Sequence, residues 1–179
     1  MAMDRDNLRF NILRNALYHT ACLRLFDRFN KVLSFLVVIL GAGAMSDLSS
    51  EFGIDLIYIG ALIATVGSIQ LVFDLAGRAR THQQLQKDYY YLLADIEGQL
   101  DGCEDACAKW QAQMIRITAS EPPTLRAIDA KAYNDALDAT GIYPAGERLI
   151  IPWWQSPLAS VLSFEGYTYR KQSECGAVS

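Results

Sequence analysis

An all-α membrane protein is the fold class this sequence predicts. The expected parts are an N-terminal amphipathic helix, a two-helix transmembrane hairpin and a cytoplasmic helical bundle. Three observations predict it. Two apolar runs lie close together within 29–73, and the link between them, 47–54, is too short to be a domain. The second run, 56–73, is free of charge for 18 residues and bounded by Asp55 and Asp74. As a helix it covers about 27 Å against a hydrocarbon core of about 30 Å. Charge is also sorted along the chain. Arg5, Arg9, Arg14, Arg24, Arg28 and Lys31 precede the first run, and Arg78, Arg80 and Lys87 follow the second. The link holds Asp47 and Glu51, with Asp55 at its end, and no Lys or Arg. Basic residues outside both outer ends predict a hairpin with both termini in the cytoplasm. A soluble bundle has no physical reason to separate its charges in this way.

The rest of the composition narrows the class. The net charge of −4 over 179 residues argues against a surface built to bind nucleic acid. The first 28 residues are charged and amphipathic and lack the apolar core of a cleavable signal, so the first run is expected to act as the insertion signal. Cys22, Cys103, Cys107 and Cys175 are all expected in the reducing cytoplasm. Cys103 and Cys107 share a helix face, but His19 and His82 stand alone in sequence. No metal set and no cofactor motif is therefore expected.

Taken in order, 1–28 is the N-terminal helix. Leu8, Ile12, Leu13, Leu17, Ala21 and Leu25 form its apolar stripe, with Arg9, Arg24 and Arg28 off it. No Gly or Pro interrupts the chain before Gly41, so this helix is expected to run into the first span. The hairpin, 29–74, opens with Phe29 and with Lys31, whose stem reaches back to the surface.

Small residues mark how the spans pack. The first ends in Gly41-Ala-Gly-Ala. In the second, Gly60, Ala64 and Ser68 recur every fourth residue, beside Ala61, Thr65 and Gly67. Such a face lets helix backbones approach closely, and its breadth predicts contacts with more than one neighbour, hence a homo-oligomer. Tyr58, Thr65 and Ser68 also share a face. A ring of such faces could line a narrow pore, and the same residue types also serve as hydrogen bonds between helices. No ionisable group lies mid-span, which argues against a proton pump.

The cytoplasmic region, 75–148, is expected to hold three helical pieces. The first extends the second span along Leu75, Leu85, Tyr89, Leu92, Leu93, Ile96 and Leu100 until Gly98 and Gly102 loosen it. A second runs from Cys103 to about Ala119 and stops before Pro122 and Pro123. A third runs from Thr124 to Ala139 and is ended by Gly141. In the tail, 149–179, sixteen uncharged residues carry Pro152 and Pro157, which forbid a third span. Trp153 and Trp154 suit either a bilayer interface or a cap on the bundle, and 167–179 reads as a frayed end.

With Tyr18-His19, the hairpin and Arg78-x-Arg-x-His82-x-x-Leu85-x-x-Asp88-Tyr89-x-x-Leu92-x-x-Asp-Ile-Glu97 together, the chain resembles the SLATT family from about Leu8 to Leu100. These are two-transmembrane effectors of bacterial conflict systems. The resemblance implies an inner-membrane, pore-forming effector. A partner sensor, or a nucleotide second-messenger system, would switch it on, and opening would depolarise an infected cell.

Two rivals share these features. Arg14-Asn-Ala-Leu-Tyr-His19 is similar to the Arg-polar-x-x-x-His motif of HEPN ribonucleases, which implies a membrane-tethered ribonuclease using Arg14 and His19. The motif is short, and few residues precede it. The other rival is a membrane scaffold that recruits a partner without conducting. His82, just past the span, reads as a structural histidine or as a pH sensor. No nucleophile elbow, phosphate loop or zinc-protease motif is present.

Overall fold

The computed structural model describes residues 4–45, 53, 55–99, 103–155, 164 and 166–175. They form an all-helical chain. Its elements are α1 (Arg5–Met45), α2 (Leu56–Phe73), α3 (Leu75–Gly98), α4 (Glu104–Thr118), α5 (Arg126–Thr140), a 3₁₀ turn (Ala145–Glu147) and α6 (Gln172–Cys175). Two compact units emerge. Met1–Cys22 and His82–Ser179 make one, and Leu23–Thr81 makes the other.

The first unit is a helical bundle with its core around the start of α1. Leu8, Ile12 and Ala16 pack with Tyr89, Leu92 and Ile96 of α3 and with Cys107 and Trp110 of α4. A second stripe of α1 faces elsewhere. Phe10 packs with Ala136 and Leu137 of α5, joined by Leu13, Leu17, Tyr133 and Tyr143. Phe10 also meets Tyr133 and Tyr143 edge to face, at 5.2 and 4.8 Å between centroids. The N-terminal helix is thus clasped on two sides, and one amphipathic stripe does not describe it. Ion pairs of Arg9 with Glu97 and of Arg148 with Asp138 close the bundle's surface.

Helix ends follow the local chemistry. Gly141 caps α5 at φ 62°, a left-handed position that glycine takes without steric cost, and its N–H donates to the Leu137 carbonyl. The expected helices 103–119 and 124–139 form within a residue or two of those limits.

Over 167–175 the chain is held in place, against the expected frayed end, while 176–179 lie outside the described residues. Lys171 bridges to Leu149 in antiparallel fashion, and the Tyr169 hydroxyl donates to Gln155 Oε1 at 2.7 Å. The Asn134 side chain holds both the N–H and the C=O of Leu149. These bonds pin the strand-like segment to α5. Trp153 is 85% exposed and caps no core, while Trp154 meets Phe164 edge to face. Residues 156–163 lie outside the described residues.

The second unit holds the apolar helices. Its described residues run over 23–45 of α1, all of α2 and the start of α3. Only Val66 of α2 is buried, and Ile57, Leu71 and Val72 are more than 70% exposed. A core helix of a soluble bundle would bury such residues. Among the described residues, one helical stretch, Leu56–Gly98, is long and apolar enough to cross a membrane. Two such helices are expected from the sequence. The apolar run of α1, 29–45, extends beyond the residues whose side chains are described. The link that carries Asp47 and Glu51 lies outside the described residues.

The apolar helix α2 does not pass into α3 without a break. Asp74 sits between α2 and α3 at φ 40° and ψ 53°, a left-handed conformation that aspartate tolerates better than most residues. Its Oδ1 accepts the Gly77 N–H at 3.1 Å, and its carbonyl accepts the Arg78 N–H at 2.9 Å. The side chain is therefore an N-cap for α3. A Cβ on residue 77 would lie 2.0 Å from Asp74 Oδ2, so glycine is what admits the carboxylate there.

Candidate functional site

Two constellations concern function, one in each unit. In the unit of α2, the helix has two distinct sides. Ile59, Ile63, Val66, Gly67 and Gln70 lie on its more covered side. Gly60, Ala64, Thr65 and Ser68 are exposed on the other. Among the described residues, nothing lies within 4 Å of a Cβ placed on Gly60, Gly67 or Gly41. The small-residue face expected to pack helices is thus open in a single chain. A shallow groove of about 400 Å³ runs along it, lined by Ala64, Thr65, Ser68, Ile69, Val72 and Phe73. Thr65 donates its hydroxyl to the Ala61 carbonyl at 2.8 Å, which satisfies it within the helix. Tyr58 is 69% exposed one turn earlier.

The contact within this unit is polar and was not assigned from the sequence. Gln70 Nε2 donates to Ser34 Oγ at 2.9 Å and reaches Asn30 at its carbonyl and Oδ1, at 3.3 and 3.4 Å. The available signal was the presence of a carboxamide and a hydroxyl inside apolar runs. Such groups join helices where lipid offers no hydrogen bonds.

In the helical bundle, Arg14 and His19 take separate structural partners. Arg14 donates through Nε and Nη2 to the two carboxylate oxygens of Asp129, at 2.9 and 2.5 Å, and its guanidinium lies 5.5 Å over the Tyr133 ring. His19 is fully buried. Its Nδ1 lies 2.8 Å from Nδ1 of His82, and its Nε2 lies 3.2 Å from Glu121 Oε1. Its ring stacks on Tyr89 at 5.5 Å, with Tyr18 edge-on at 5.0 Å. The expected ribonuclease pair is therefore not presented as one open surface in this conformation.

The histidine cluster extends further. The Tyr89 hydroxyl donates to Glu121 and lies 2.9 Å from Thr118 Oγ1. The Tyr18 hydroxyl accepts the Leu125 N–H at 2.9 Å. Burial pushes Glu121 towards its neutral form. Hydrogen bonds from His19 and Tyr89, with the charges of both histidines, outweigh it and hold the carboxyl below its usual range. Glu121 is therefore a carboxylate, and His19 donates to it from Nε2. Burial raises the Tyr18 and Tyr89 hydroxyls above the ordinary tyrosine range and pushes the Cys22 thiol up to about 12. The row from Thr118 through Tyr89, Glu121 and His19 to His82 is a hydrogen-bonded chain that starts at an exposed threonine and runs into the two buried histidines.

Neither histidine announces this row in sequence, because 63 residues separate them. Comparison with protein-family models, with curated proteins and with solved structures finds no match for this chain.

Proposed function

We propose that this chain is an oligomeric, pore-forming effector of a bacterial inner membrane, with α2 as its assembly helix. The carrying observation is the exposed face of Gly60, Ala64, Thr65 and Ser68 on an 18-residue apolar helix whose only buried residue is Val66. A second copy laid in that groove would approach closely at the small residues and place hydroxyls beside the contact. The Gln70 bonds to Asn30 and Ser34 support a two-helix hairpin, because they join the start of one apolar run to the end of the other. The charge sorting supports both termini in the cytoplasm. The resemblance to SLATT effectors supports activation by a companion sensor or nucleotide second messenger, with lipid and other copies of the chain as the direct partners.

Dye and ion leakage from liposomes tests the reading. Wild-type protein in an assembled state leaks. Gly60→Leu, whose Cβ has no neighbour within 4 Å among the described residues, is expected to abolish both assembly and leakage while leaving the monomer's helix content unchanged. A normal oligomer from Gly60→Leu would remove the packing argument. Assembly without leakage would favour the scaffold.

A further inference from the structure

We infer that the stripe of Arg24, Arg28, Lys31, Val32 and Phe35 on α1, basic at one end and apolar at the other, is a binding site for an anionic phospholipid. The inference rests on the membrane reading above and adds a lipid class to it. These residues, with Asp27, line one open groove of about 420 Å³. Their spacing of three and four residues puts them on one helix face. All five are exposed, Val32 at 51% and Phe35 at 64%.

The charges in the groove do not cancel. Asp27 accepts Lys31 Nζ at 2.7 Å, which uses the carboxylate locally. Arg24 and Arg28 have no ion pair or hydrogen bond among the described residues. Arg5, Arg9, Arg14 and Arg148 each hold an acceptor. Two adjacent guanidinium groups without acceptors fit the oxygens of one phosphate diester, which a planar donor fork engages bidentately. From Arg24 to Phe35 the helix rises about 16 Å, comparable to the depth of one leaflet's hydrocarbon. A phosphate held at Arg24 and Arg28 therefore brings an acyl chain alongside Val32 and Phe35. A free anion would use only the first half of the groove and leave its apolar half wet. A zwitterionic lipid brings an ammonium that the same guanidiniums repel.

The full chain in a neutral detergent, titrated with short-chain phosphatidylglycerol, short-chain phosphatidylcholine or inorganic phosphate, tests the site. Apparent affinities are read by thermal shift and by native mass spectrometry. Phosphatidylglycerol is expected to bind roughly 25-fold more tightly than phosphatidylcholine, about fivefold per guanidinium. The double variant R24Q/R28Q loses that preference, and R24K/R28K keeps most of it, with elution volume and helix content unchanged in both. Equal affinity for the two lipids, a preference that survives R24Q/R28Q, or inorganic phosphate binding as tightly as phosphatidylglycerol would each overturn the site. Resistance of the wild-type protein to alkaline extraction from phosphatidylcholine vesicles separates the two readings. A retained protein without lipid preference sinks this site alone, and a protein released from the vesicles sinks the membrane reading with it.

Discussion

At the scale of single residues, the buried row around His19 sets how stability depends on pH. Glu121 is held below its ordinary carboxyl value of 4.5 in the folded chain. Its contribution is fully present above that value and is lost as pH falls through the depressed one. Cys22, raised from 9.0 to about 12, acts in the opposite direction: its contribution is present below 9 and fades as pH rises towards 12. Tyr18 and Tyr89 add to that alkaline loss. Melting temperature measured from pH 3 to 11 is therefore expected to show a plateau with two falling shoulders. Glu121→Gln should flatten the acid shoulder and cost about 1–3 kcal/mol at neutral pH, because His19 and Tyr89 lose a charged acceptor. An unchanged acid shoulder in that variant would refute the assignment. Arg14→Ala strands the Asp129 carboxylate and should cost about 2–3 kcal/mol in chemical denaturation, far more than an exposed ion pair would. Little of this was legible beforehand. His19, His82 and Arg14 stood out as residue types, but their partners come from 63, 102 and 115 residues away, and no local pattern encodes such pairs. Glu121 lies between two expected helices, beside Pro122, and nothing local marks it as a partner of either histidine.

At the scale of elements, the sequence carried most of the boundaries, because Gly and Pro act locally. Pro122, Pro123 and Gly141 limit α4 and α5 close to where they do in the structure. The break at Asp74 was not expected. A charged residue at the end of a span reads as a helix continuing into water, and its left-handed backbone has no signature apart from Gly77 three residues later. Gly77→Ala drives a methyl into the Asp74 carboxylate and should cost about 1 kcal/mol, the worth of the cap. Asp74→Ala removes the same bond. The double variant should therefore cost less than the two single costs summed, and strict additivity in that cycle would show the cap to be idle. On α2, the small residues were legible and their orientation was not. Whether Gly60 faces its own chain or another depends on which side of α2 carries the Gln70 contact, and Gln70 lies on the more covered side with Val66. Gln70→Leu is expected to weaken that contact by about 0.6 kcal/mol, read as a small loss of thermal stability in detergent.

At the scale of the whole molecule, the all-helical class was readable from periodicity, whereas the role of the first helix was not. One stripe of Leu8, Ile12, Leu13 and Leu17 looked like a single amphipathic face. The bundle instead divides these residues between two neighbours, with Phe10 and Ala16 completing the two faces. Contacts between residues 8–16 and 89–110 are invisible to any local window. Trp110→Ala, in the core where these helices meet, should cost about 3–5 kcal/mol and lower the bundle's melting temperature. Gly60→Leu should leave that temperature unchanged, since among the described residues no atom lies within 4 Å of a Cβ at that position. A shared shift would mean that the two units do not unfold separately.

The interleaving of the two units has a consequence for biosynthesis. Residues 1–22 emerge from the ribosome before the partners that cover Leu8 and Ile12, which begin at Tyr89 and end near Trp110. The apolar segment Leu23–Thr81 is made in the interval. The nascent chain must therefore deliver its most hydrophobic helix before its bundle can close. The first turns of α1 wait exposed throughout, as a substrate for whatever chaperone shields them.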